Sequence, residues 1–266
     1  MFTKNLSSTN VASLPMPRDL SGMPEVIRRL NARELRDEVQ LPDLTVDADP
    51  PIPYQGNRTI NPRSRGACRL FSVLPDLPTG RPRIYGLDSQ LEYHHLALVL
   101  SNPSVEQVQE QFGPIPFRDE DGNPQNHYFD LVARYKSGRV VAIAVKPTER
   151  LQSGRFLREL RQLRASEHCS QFDEIRLVTE NCFKRLDATN ALTYLKFRLF
   201  PDWDVLSRLD EVIPTIRGIL AIHDLMKLLK MGGRSYRSIY RAIFEGKLER
   251  VSPGKINEFT LIRAAA

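Results

Sequence analysis

The feature that most constrains this chain is a pair of short apolar runs, Tyr128 to Tyr135 and Arg139 to Val145, separated only by Lys136-Ser137-Gly138. Two such runs joined by a tight, glycine-containing turn read as a β-hairpin. Strand alternation then puts Val141, Ile143 and Val145 on one face and Val140, Ala142, Ala144 and Lys146 on the other, so a lysine ends a row of small side chains. Across the hairpin, Asp130 stands among Phe129, Leu131 and Val132, where a carboxylate costs free energy to bury without a partner or a metal.

The flanking pattern supplies the rest of the sheet and its cover. Leu87, Leu91, Leu96, Leu98 and Val99 predict a helix that stops near Asn102-Pro103, with Asp88 or Ser89 as its cap. Glu92 interrupts that helix near its start. Val105 to Phe112 predicts a strand and Asp119 to Asn123 a turn. A helix follows from Gly154 to Ala165, with Phe156, Leu157, Leu160 and Leu163 as its apolar stripe, then a short strand from Ile175 to Thr179. Helical stretches are expected at Ala188 to Phe200 and Asp202 to Val212. The order helix, strand, hairpin, helix, strand predicts an α/β fold, a mixed sheet flanked by helices.

Residues 1–62 carry eight of the 19 prolines and read as an arm or linker, with one helix in the stretch that contains Val26, Ile27, Leu30, Leu35 and Val39. Arg58, Arg63, Arg65 and Arg69 follow without apolar period and suit either phosphate contact or a solvated loop. The sheet-bearing domain is expected over 63–182, a helical connection over 183–213, and a separate module over 214–266. In that module, a helix from Ile222 to Met231 stops at Gly232-Gly233, a second begins near Ser235, and Leu248 to Val251 and Ile256 to Ile262 are extended. This is the outline of a winged helix-turn-helix.

Charge separates the module from the body. The net charge of +6 arises wholly from Pro214 to Ala266, with ten Lys and Arg against four Asp and Glu, whereas the first 213 residues hold 28 of each. A neutral body with a basic tail points to a polyanionic partner, most simply nucleic acid. Arg234, Arg237 and Arg241, with Tyr236 and Tyr240, lie on the second helix, the one that enters the major groove in helix-turn-helix proteins. Protein docking is the competing reading of the same helix. Arg155, Arg158, Arg161 and Arg164 recur every third residue and form a basic ridge, read either as a track for a phosphate backbone or as a solvated face.

Other function classes fall away. The longest unbroken apolar stretch, Val140 to Val145, is far short of the ~20 residues of a membrane span. Cys68, Cys169 and Cys182 are odd in number with no C-x-x-C spacing, which fits reduced thiols in a cytoplasmic protein. His94-His95, His168-Cys169 and His223 lack ligand spacing and read as packing or surface residues. Glu92, Asp130 and Lys146 remain as ionisable groups on elements that otherwise read as core, the ingredients of a divalent-metal phosphodiesterase site.

Ser89-Gln90-Leu91-Glu92, His127-Tyr128-Phe129-Asp130 and Ala144-Val145-Lys146-Pro147 together resemble the PD-(D/E)XK nucleases, and more narrowly the TnsA endonucleases of heteromeric bacterial transposases. The likeness runs from about Gly66 to Glu180 and includes Gln109-Glu110-Gln111 as a strand before Pro114. It implies a restriction-endonuclease-like fold and cleavage of a strand of double-stranded DNA at a transposon end. It also implies dependence on Mg²⁺ or Mn²⁺, a DDE-type transposase subunit and an AAA+ ATPase regulator as partners, and no membrane. By the same resemblance Glu92, Asp130 and Lys146 are catalytic, and Glu92, Asp130 and the carbonyl of Val145 hold the metal. The chain departs from the pattern at Ala144, where the family carries a glutamate or glutamine. Glu92 and Asp130 alone are one way to hold the ion, Glu149 swinging back is a second, and DNA binding without cleavage is a third.

Overall fold

A computed structural model describes residues 50–60 and 69–265. The expected helix around Val26 to Val39 lies outside the described residues, as do Arg63 and Arg65.

The described chain begins with a hairpin, β1 (Leu70–Pro75) and β2 (Pro82–Leu87), followed by helix α1 (Gln90–Leu100). Ser89 caps α1: its hydroxyl oxygen accepts the Glu92 N–H at 3.1 Å, and its O–H donates to Glu92 Oε1 at 2.8 Å. The helix ends at Ser101, ahead of Asn102-Pro103. Strands β3 (Val105–Arg118), β4 (Pro124–Tyr135) and β5 (Val140–Val145) form an antiparallel meander, and β6 (Glu174–Val178) joins parallel to β5. The crossover between β5 and β6 carries a single-turn helix α2 (Thr148–Leu151) and the longer α3 (Arg155–Ala165). The result is a four-stranded mixed sheet, order β3-β4-β5-β6, flanked by helices.

Its two faces divide as strand alternation predicts. Val141, Ile143 and Val145, with Leu131 and Ala133, pack with Leu96 and Leu100 of α1. Ala142 and Ala144 pack with Phe129, Phe172 and Leu163 of α3. Phe129 and Leu131 would share a face in an unbroken strand but belong to opposite clusters, so the alternation of β4 slips at Asp130. Pairing with β5 likewise begins only at Leu131 with Ile143.

The strand expected to end at Phe112 continues to Arg118, through a register shift between Phe112 and Ile115. Gly113 sits in that shift, where a Cβ would lie 2.7 Å from the His127 carbonyl oxygen. The β1–β2 hairpin has no counterpart in the sequence reading; Pro75, Asp76, Pro78, Gly80 and Pro82 hide it. Arg83 of β2, 2% exposed, anchors it to the sheet by donating to Glu110 Oε2 at 2.6 Å and to the Val108 carbonyl at 3.0 Å.

Helices α4 (Arg185–Arg198) and α5 (Trp203–Val212) lead to a small three-stranded sheet, order β7-β9-β8, from β7 (Leu220–Ala221), β8 (Leu248–Arg250) and β9 (Leu261–Ala264). Between β7 and β8 stand α6 (Ile222–Leu229) and α7 (Arg234–Phe244). Three local expectations change here. Helix α6 stops at Lys230, in a left-handed conformation, before the glycine pair. Ser235 is not the cap of α7 but lies within it, its hydroxyl buried. The stretch from Ile256 is extended only from Leu261, because Asn257 turns the chain by accepting the Phe259 N–H at 2.9 Å. Tyr236 and Tyr240 are part of the packing, not of an exposed interface: Tyr240 is 1% exposed and its ring stacks on Phe244, which stacks in turn on Tyr194 of α4.

Candidate active site

Glu92 in the first turn of α1, Asp130 within β4 and Lys146 just past the end of β5 are brought close together. Glu92 and Lys146 line one cavity with Val145, Arg150, Arg155 and Glu159. Asp130, 6% exposed, lies close enough that its charge acts on Glu92 and that Lys146 acts on it. Burial, then the neighbouring Asp130 carboxylate, pushes the Glu92 carboxyl up to about 7. Burial also raises the Asp130 carboxyl, against the opposing pull of the Lys146 ammonium and the Val145 N–H. The two acids therefore repel across a poorly solvated space, the condition a bound cation relieves.

Each acid is fixed by hydrogen bonds. Glu92 Oε2 accepts the Asp88 N–H at 2.9 Å and the Gln111 amide at 3.2 Å, while Oε1 accepts, among the described residues, only the Ser89 hydroxyl. Asp130 Oδ2 accepts the Val145 N–H at 2.6 Å. With two acceptor sites per oxygen, Oε1 of Glu92 and Oδ1 of Asp130 keep capacity for a further ligand. Among the described residues no group of three His, Cys, Asp or Glu side chains is arranged to hold a metal. Two carboxylates with an oxygen to spare are a donor set that Mg²⁺ can use, since it takes one or two carboxylates and keeps its waters. Lys146 extends over the Phe156 ring, its Nζ 5.1 Å from the centroid.

Ala144, 1% exposed, packs in the α3-side cluster. Glu149 is exposed on α2 and does not line the cavity. Glu159, which the sequence did not single out, does. It accepts from His127 Nδ1 at 2.9 Å, and that bond holds its carboxyl below the usual range. Gln111 is the other residue the sequence reading left without a role.

The basic residues divide unequally. A three-residue period advances 300° around a helix, so the α3 arginines spiral instead of forming one ridge. Arg155 lines the cavity; Arg158 faces Glu120 at 3.3 Å; Arg161 and Arg164 are exposed elsewhere. On α7, Arg234 is bound by Asp202 and Asp204, and Arg241 turns inward to Glu245 at 2.8 Å with its side chain 13% exposed. Arg237 is exposed and in no ion pair among the described residues. Arg58 and Arg69, expected on phosphates or in a solvated loop, converge instead on Asp88.

No helix among the described residues is long and apolar enough to cross a membrane. Neither a family model nor a curated protein sequence matches the chain.

Proposed function

We propose that this protein is a divalent-metal-dependent DNA endonuclease of the TnsA type, which cuts one DNA strand at a transposon end within a heteromeric transposase. The observation that carries the reading is the burial of Glu92 and Asp130 side by side next to Lys146, on elements separated by 54 positions between the first residue and the last. Two neighbouring carboxyls whose charged forms burial disfavours are rarely kept without a functional return. The order of α1, the antiparallel meander and the parallel β6 supports a nuclease fold, and the helix–helix–hairpin of the tail supports a winged helix-turn-helix.

Glu92 Oε1 and Asp130 Oδ1, with the Val145 carbonyl by resemblance, would hold Mg²⁺ or Mn²⁺. The ion, when bound, supplies Lewis-acid polarisation of the phosphodiester. Lys146 places an ammonium at the cavity wall, where it neutralises charge developing on a phosphoryl oxygen or orients the attacking water. Arg150 and Arg155 on the rim hold the adjoining phosphates, and Arg237 with the basic tail extends the contact to duplex DNA.

The test is cleavage of supercoiled and transposon-end DNA with Mg²⁺ or Mn²⁺, together with a DDE-type transposase and an AAA+ ATPase. Wild type is expected to nick, and Asp130→Ala and Lys146→Ala to fail; equal cutting by all three removes these residues from the mechanism. Ala144 favours a second reading, a nuclease-fold adaptor that ties DNA to an ATPase or transposase without cutting. Calorimetry separates the two: an adaptor takes up no divalent ion in its DNA complex yet keeps its protein partners.

A further inference from the structure

Asp130 lies on the central strand β4 with a neighbour on either side. On β5 the next position beyond the Leu131–Ile143 pair is Ala144, which brings no polar group. On β3, between the Glu110–Leu131 and Phe112–Phe129 pairs, the residue opposite Asp130 is Gln111.

Gln111 is unusual in three respects. It is fully buried, 0% exposed, although its side chain is polar. Its φ of 49° is left-handed, a conformation that strains a residue with a Cβ. Its amide is used at both ends: Nε2 donates to Glu92 Oε2 at 3.2 Å, and Oε1 accepts from Arg58 Nη2 at 2.6 Å. The left-handed turn has an evident result. It interrupts the regular strand at the position from which the Gln111 side chain reaches the Glu92 carboxylate, and strain of this kind collects at functional sites.

The geometry points to Gln111 as a positioning residue of the ion site: its carboxamide, held by Arg58, fixes Glu92 for the divalent ion and supplies from β3 the polar support that Ala144 does not supply from β5. Arg58 completes the relay, since the same Nη2 also binds Asp88. The inference rests on the nuclease reading and assigns a role within its site. Outer groups that orient a metal-binding carboxylate are commonly worth about 10- to 100-fold in metal affinity.

Two variants separate orientation from packing. Gln111→Met keeps side-chain length and the strained backbone but has no amide. Gln111→Gly removes the side chain and releases the strain, so it guards against a fold defect in the first. Mn²⁺ affinity is measured by titration calorimetry on the intact chain, alongside kcat and KM for nicking. Both variants are expected to bind Mn²⁺ about 10-fold more weakly or worse, with kcat reduced and the KM for DNA unchanged. Undiminished Mn²⁺ affinity and kcat in Gln111→Met overturns the positioning role while leaving the nuclease reading intact. No Mn²⁺ uptake by wild type overturns both.

Discussion

The Val145 N–H donates to Asp130 Oδ2 at 2.6 Å, just where the ladder between their strands has ended. The carboxylate takes the place of a backbone acceptor, so the aspartate is held by the main chain and its second oxygen keeps capacity for a further partner. Asp130→Asn keeps an acceptor for that N–H while deleting the charge beside Glu92. We predict that it abolishes nicking and makes the ion-free protein more stable near pH 8, by about 1–2 kcal/mol. Urea unfolding without divalent ions checks the second half; lower stability in the variant contradicts it.

Ion binding should appear as stability. A ligand that binds only the native state at 100 times its Kd adds about 2.7 kcal/mol. Mn²⁺ or Mg²⁺ should raise the unfolding midpoint of wild type and of Lys146→Ala, but not of Asp130→Asn. A thermal shift series in metal-buffered solution reads this directly.

Two groups oppose each other in the pH dependence of folding. Glu92 is pushed up to about 7 from an ordinary 4.5, so the native state holds the extra proton between those values. Its contribution is present below pH 4.5 and lost as pH rises through 7, up to roughly 3 kcal/mol. His95 is pushed down to about 4 by burial and by Arg176, its ring facing Phe183. The unfolded state takes up the proton first there, so stability is lost as pH falls from 6.5 towards 4. Glu92→Gln should therefore make stability climb more steeply with pH between 4.5 and 6.5, and His95→Phe should flatten or reverse that climb. Urea midpoints across this range test both signs.

The arginine positions predict salt dependence. Arg155→Ala and Arg237→Ala should each weaken DNA binding and reduce the slope of log K against log salt by about 0.9. Arg161→Ala and Arg241→Ala should leave the slope unchanged, since one points away from the cavity and the other is spent on Glu245. Filter binding between low and moderate salt distinguishes these pairs.

The hairpin, its two faces and the α3 stripe, apart from Leu157, which is exposed, were legible because they obey local periods: Val141, Ile143 and Val145 alternate with Ala142 and Ala144 whatever surrounds them. Glu92, Asp130 and Lys146 were legible as polar breaks in those periods and through the resemblance built on them. Gln111 and Arg58 were not. Their meaning depends on a left-handed residue within a strand and on bonds spanning 53 positions, and neither leaves a periodic trace. Glu159 was hidden differently, lying among arginines that offered a nearer explanation. Helix α7 misled because its tyrosines look like a reading surface until Phe197, packed against both, and Phe244, stacked on Tyr240, are seen to claim them.

That aromatic pile, Tyr194 on Phe244 on Tyr240, joins the tail to α4 by plane-to-plane contact without an intervening tether. For the proposed nuclease this makes the molecule a gauge. Whatever the tail grips sets, at a span fixed by the protein, which bond reaches Lys146, so the distance from recognition to cut becomes a property of the fold that loosening these rings would blur.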